Sequence, residues 1–265
     1  MPIIAPWREW EIKSRDEEID YAEAHHVPLK ISRETNYSKD KNLWHLSHEG
    51  LDLEDPANEP DLDKALFLEM GVSPYQAPDT PTTVSVSFEA GVPVAVDGEK
   101  MKVSDIIRKL NKLGGESGVG ILDIVENRLI GMKDHGIYET PGGTILYFAH
   151  EQLEMLTVDK DTLHVKQKLA VDYADLIYNG KWYSPLQEAL TAFAKKANEF
   201  CTGTVKIKLY KGNLINAGIV SPYSLYSENL VTFGESDFNQ AEAEGFINIW
   251  GLPTKVQALR EQGKL

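Results

Sequence analysis

Residues 82–96, TTVSVSFEAGVPVAV, constrain the fold most. Val84, Val86 and Phe88 alternate with Ser85, Ser87 and Glu89, and this period of two commits the segment to a strand with one buried face. Ala90-Gly91 turns the chain, and Val92, Val94 and Val96 return it, which predicts a β-hairpin. A second hairpin is predicted over 204–218, TVKIKLYKGNLINAG, with its turn at Lys211-Gly212-Asn213. Half-buried antiparallel sheets need a cover, and the segments between these hairpins read as helices. The predicted class is therefore α/β in the α+β sense, with antiparallel hairpins packed against helices.

Val103, Ile106, Ile107, Leu110 and Leu113 recur at helical spacing, and Gly114 suits a C-terminal cap. From Gly142 to Cys201 the pattern is helical, with Ser184-Pro185-Leu186-Gln187 as a start signal inside it. Ser14 and Glu17 form a capping box for a helix through EEIDYAEAHH. Ile3 and Ile4 before it read as a buried strand and VPLKIS after it as an extended segment. Residues 1–31 are thus expected to be a strand–helix–strand remnant of an α/β layer, entered in mid-strand and so continuing a longer protein. Residues 36–81 read as a mostly irregular connection with a short helical stretch near Asn42–Gly50. The tail, 226–265, carries Phe246, Ile249, Trp250, Leu252, Val256 and Leu259, an apolar set that fits a partner subunit.

Composition narrows the function. A net charge of −14 leaves no excess of Lys and Arg to neutralise phosphates, which speaks against nucleic acid and anionic membranes. No apolar run is long enough to span a bilayer. The single cysteine, Cys201, cannot form an internal disulfide, which suits a reducing, cytoplasmic compartment.

Several short motifs invite chemistry. GGESGVG, 114–120, lacks the Lys-Ser/Thr of a phosphate loop and follows a helix, so it reads as a helix end and a turn into the next strand. A helix through HLSHE would gather His45, His48 and Glu49, but without metal-site spacing it reads as a solvated face and no metal is expected. His25-His26 reads as a helix end. Cys201 follows two lysines that would lower its pKa, yet reads as a small buried hydrophobe. Ser38 and Ser47 read alone as turn or capping serines. Glu126 and Tyr138 are a better pair. The apolar strand Ile121–Val125 runs directly into Glu126, and Tyr138 lies beyond Gly131 and Gly136. A carboxylate there suits an ammonium, or else an ion pair with Arg128 or Lys133.

IIAPWREW, SKDKNLWHLSHEG, LEDPANEP, GVGILDIVENRLIGMKDHGIYETPGGTIL and SPYSLYSENL closely resemble argininosuccinate synthase, in order from residue 3 to about residue 250. The resemblance implies an ATP-dependent ligase that joins L-citrulline to L-aspartate through a citrullyl-adenylate, releasing pyrophosphate and AMP. It implies a remnant of the nucleotide-binding domain at 1–31, a synthetase domain at 32–225 and a C-terminal helical arm at 226–265 that builds a homotetramer. It also implies that Ser38, Ser47, Glu126 and Tyr138 contact citrulline. The family's phosphate loop, Ser-Gly-Gly-x-Asp-x-Ser, does not occur in these 265 residues. ATP with Mg is accordingly expected to bind elsewhere in the full-length family, and the chain is expected to be inactive alone. A stand-alone citrulline-binding or assembly module is the alternative.

Overall fold

The computed structural model describes residues 2–29, 35–232, 234, 237 and 239–265. Two compact units divide the chain, one over 1–223 and one over 224–265.

The first unit is mixed α/β, with two antiparallel sheets. Strands β1 (Ser38–Lys41) and β2 (Leu46–Glu49) precede β3 (Thr82–Glu89), β4 (Val92–Val96) and β5 (Glu99–Lys100); β6 (Ile121–Asn127), β7 (Lys133–Glu139), β8 (Gly203–Tyr210) and β9 (Asn213–Val220) follow. One sheet has the order β5-β4-β3-β8-β9, and the other β1-β2-β7-β6. Helix α1 is Arg15–Ala24, α2 Val103–Glu116, α3 Pro141–Thr157, α4 Lys160–Tyr178 and α5 Pro185–Ala197.

Both predicted hairpins form, as β3–β4 and β8–β9, and β3 pairs with β8. Their alternation then does its work. Val84, Val86, Phe88, Val205, Ile207 and Leu209 face one way and are buried against Ile106 and Leu110 of α2 and Ile145, Ala149 and Leu153 of α3. Each such side chain removed from water stabilises the fold by roughly 1.5–3 kcal/mol. α1 carries the expected capping box of Ser14 and Glu17.

Four expectations need correction. Ile3 and Ile4 are 93% and 85% exposed and belong to no strand. Residues 27–29 form no strand either, and the rest of the expected extended segment, 30–32, lies outside the described residues. Asn42–Gly50 is not helical: β1 and β2 make a hairpin whose turn is fixed by Asn42, its Oδ1 accepting from Trp44 N at 2.7 Å and His45 N at 3.0 Å. That local side-chain bond outcompetes a helix. Gly114 does not end α2, which continues to Glu116. A Cβ on Gly115 would stand 2.0 Å from Met70 O, so close packing, not capping, requires a glycine there.

The second unit holds α6 (Glu228–Val231), α7 (Glu242–Trp250) and α8 (Leu252–Glu261), none with a buried residue. Phe246 and Trp250 stack with ring centroids 5.5 Å apart. Among the described residues, no helix is long and apolar enough to cross a membrane.

Candidate functional site

The β1-β2-β7-β6 sheet positions every residue of interest. Strand β6 is not the buried strand expected at 121–125, since Leu122 and Val125 are half exposed. It runs on to Asn127, turns through Arg128–Met132 with Gly131 at φ +83°, and returns as β7. Arg128 N donates to Met132 O at 2.8 Å and Gly131 N to Arg128 O at 2.7 Å, which closes the turn. Glu126 and Tyr138 therefore sit on one hairpin rather than across an open loop.

Register puts the four expected contacts on one face of the sheet, with Ser38 and Glu126 on its opposite edge strands. Ser38 pairs with Glu49, Ser47 with Tyr138, and Glu126 with Asp134. Directly opposed residues share a face, and side chains alternate along each strand. Ser38, Ser47, Glu49, Glu126, Asp134 and Tyr138 thus all project from the same face. Tyr138 donates its hydroxyl to Glu126 Oε1 at 2.7 Å. Burial, and then this bond, hold the phenol above its ordinary pKa, so it remains a donor. Ser47 is only 4% exposed.

Glu126 makes neither the ion pair with Arg128 nor the one with Lys133 that was the alternative for it. Arg128 Nη2 lies 3.2 Å from Glu49 and 2.6 Å from Asp134, and Glu126 keeps Tyr138 instead. Oxygens of Glu49, Glu126 and Asp134 lie within 4.8 Å of one another. Burial first, and Asp134 next, push the Glu49 carboxyl up, while Arg128 opposes them. A cleft of about 440 Å³ adjoins the group and is lined by Arg15, Asn36, Ser38, Glu49, Arg128 and Asp134. Asp134 was missed in the sequence, and Glu49 was read there only as part of a solvated helix face. The alternation of LSHE, once read as a strand, would have found Glu49 beside Ser47.

The opposite face holds a different device. His48, fully buried, is bonded through Nε2 to Glu139 Oε1 at 2.7 Å. Glu139 also accepts from Glu69 N at 2.9 Å and Met70 N at 2.7 Å, which pins the 66–72 segment beneath the site. His48 is therefore neither a metal ligand beside Glu49 nor part of a solvated face, because strand geometry sends the two to opposite sides.

The remaining motifs settle plainly. GGESGVG is the end of α2 and the turn into β6, with Gly118 at φ +69° and Gly120 at φ +89°. Cys201 is buried with Sγ 4.0 Å from His150 Nε2, and burial pushes its thiol up to about 11. The nearby lysines do not activate it, and it packs as a small hydrophobe.

The model of the Arginosuccinate synthase C-terminal domain matches residues 37–257. The chain belongs to the argininosuccinate synthase family. It is 59% identical to the argininosuccinate synthase of Acetivibrio thermocellus over 263 residues, which is 99% of this chain and 64% of that relative. It is 59% identical to the argininosuccinate synthase of Clostridium botulinum strain Alaska E43 over 259 residues, covering 97% of this chain and 63% of the relative. To that of Clostridium perfringens strain 13 it is 57% identical, with 99% and 64% covered. The chain thus spans somewhat under two-thirds of the length of the relatives it matches.

Proposed function

We propose that this chain supplies the citrulline-holding part of an argininosuccinate synthase, the ligase that couples L-citrulline and L-aspartate at the expense of ATP. Glu126 takes the ammonium of citrulline, with Tyr138 steadying the carboxylate, and the hydroxyls of Ser38 and Ser47 donate to the ligand's carboxylate. One observation carries this reading: all four side chains project from one sheet face, with Glu126 bonded to Tyr138 and Ser47 opposite Tyr138 on the neighbouring strand. A zwitterion brought out of water needs both charges met, and this face offers an anion and hydroxyl donors on neighbouring strands. In the complete reaction the ureido oxygen of citrulline attacks the α-phosphate of ATP, pyrophosphate leaves, and the aspartate amine displaces AMP. The contribution of these residues is positioning, which converts a collision into an oriented attack. Lacking the Ser-Gly-Gly-x-Asp-x-Ser motif, the chain by itself holds citrulline without adenylating it. Titration calorimetry of citrulline into the chain tests the reading. Saturable one-to-one binding is expected, together with no AMP production from citrulline, aspartate and ATP. Absence of binding would remove the amino-acid site from this chain, and AMP production would remove its inactivity.

We further propose that 226–265 is the arm that joins subunits into a tetramer. Phe246 and Trp250 are 62% and 75% exposed in that unit, which supports a partner covering them. Light scattering of a chain ending at Ser227 is expected to show a smaller assembly than the full chain; an unchanged mass would refute the role.

A further inference from the structure

We propose that His135 carries a proton on both ring nitrogens and that this imidazolium positions the Leu51–Glu54 wall of the amino-acid cleft. The inference rests on the amino-acid reading for its ligand, and on ring geometry for its charge. His135, on β7, is 8% exposed. Its Nδ1 lies 2.7 Å from the carbonyl oxygen of Leu53, and its Nε2 lies 2.7 Å from Asp123 Oδ1. Both partners are acceptors. A neutral imidazole has one N–H and one lone pair, so it donates to one of them at most. Either tautomer would set a lone pair against an oxygen at hydrogen-bond distance, too close for a water between them. The imidazolium satisfies both contacts at once.

The surrounding charges favour that cation. Asp123 faces the ring from β6, Asp134 neighbours it on β7, and Asp52 and Glu54 flank Leu53 on the turn. Lys133, exposed and two residues along β7, opposes them. Arg128 is held by Glu49 and Asp134, and His48 of β2 is bonded to Glu139. The bond to Asp123 holds the imidazole above its ordinary pKa against the effect of burial, and the Leu53 carbonyl adds to it. What the cation grips is the back of the cleft wall. Leu53 packs with Phe67 and Ile137, while Gly50, Leu51 and Glu54 line the cleft beside Ser38 and Glu49. Gly50, at φ +90°, bends the chain from β2 into this turn. Because the pKa is raised, both bonds are present at acid and neutral pH, and one is lost as pH rises through the raised value. His135 is therefore a positioning residue and does not touch the ligand.

The test is a pH titration of the full chain, labelled with nitrogen-15 and followed by NMR, with citrulline affinity measured by calorimetry across the same range. The His135 signals are identified by their loss in His135→Gln. Both ring nitrogens are expected to be protonated at neutral pH, with a midpoint above the ordinary imidazole value of about 6.5. The backbone amides of residues 51–54 should shift at that midpoint, and citrulline should bind about three- to tenfold more weakly above it. Asp123→Asn keeps an acceptor but removes the charge, so it should lower the ring, amide and affinity midpoints together. A single protonated ring nitrogen at neutral pH overturns the charge, and amides of 51–54 that ignore the titration overturn the grip on the turn. An affinity loss that stays in place in Asp123→Asn belongs to the ligand's own amine and overturns the effect on binding. Failure of wild type to bind citrulline at any pH, with the ring and amide midpoints moving together, would remove the amino-acid reading and leave the charged clamp on the turn standing.

Discussion

Replacing Glu139 with alanine is expected to destabilise the chain by about 3–5 kcal/mol, because it removes the acceptor shared by several buried groups. The side chain is 2% exposed and accepts hydrogen bonds from His48 Nε2, Glu69 N and Met70 N. Truncation strands all three donors in a space that Phe67 and Leu53 keep apolar. Each buried orphan costs on the order of 1–3 kcal/mol, and only partial hydration offsets the sum. Glu139→Gln keeps the volume and one strong acceptor, so its loss should be roughly half as large. Denaturant unfolding of the three proteins checks both figures. A loss below about 1 kcal/mol for the alanine variant would mean that water reaches these donors freely. The consequence extends to the other face of the sheet. His48 follows Ser47 and Glu139 follows Tyr138, and Ser47 and Tyr138 are cross-strand partners. The buried pair thus fixes, from behind, the register that brings the two site residues together.

The same pair explains why β7 was hidden in the sequence. KDHGIYE presents a single aliphatic residue, Ile137, between polar ones, and no apolar alternation marks it as a strand. In the fold His135, Ile137 and Glu139 are its buried row. His135 is satisfied by Leu53 O and Asp123, each at 2.7 Å, and Glu139 by the donors above. Hydrogen-bond partners mostly 69 to 91 residues away turn polar side chains into core residues, and no local pattern records them. Where burial is apolar, the sequence was legible. Val84, Val86 and Phe88, and the stripe Ile106, Ile107, Leu110, declare their elements without help from afar. Asn42 marks the other limit, since a single side-chain oxygen capping two backbone amides converts a stretch with helical spacing into a hairpin turn. The four candidate residues were named in the sequence only through family motifs. The geometry of the site was not legible, because Ser38, Ser47, Glu126 and Tyr138 come to share a sheet face only through the order β1-β2-β7-β6.

Glu126 should matter most to ligand binding. Glu126→Gln keeps the size and an acceptor for Tyr138 but removes the charge that an ammonium requires. Hydrogen bonds to charged groups contribute about 1.5–3 kcal/mol, so citrulline should bind roughly 10- to 150-fold more weakly. Tyr138→Phe deletes only the phenol that donates to Glu126 Oε1 at 2.7 Å. Its loss should be smaller, about 0.5–1.5 kcal/mol, because the carboxylate survives and gains freedom rather than losing charge. On the proposed reading the two losses should fall short of their sum in the double variant, the phenol acting only through the carboxylate it holds. Calorimetric titration of citrulline into the four proteins measures the coupling directly. Strict additivity would show that Tyr138 touches the ligand independently of Glu126. Equal affinities in wild type and Glu126→Gln would place the ammonium elsewhere, and the acidic face of this sheet would then lose its claim to the amino acid.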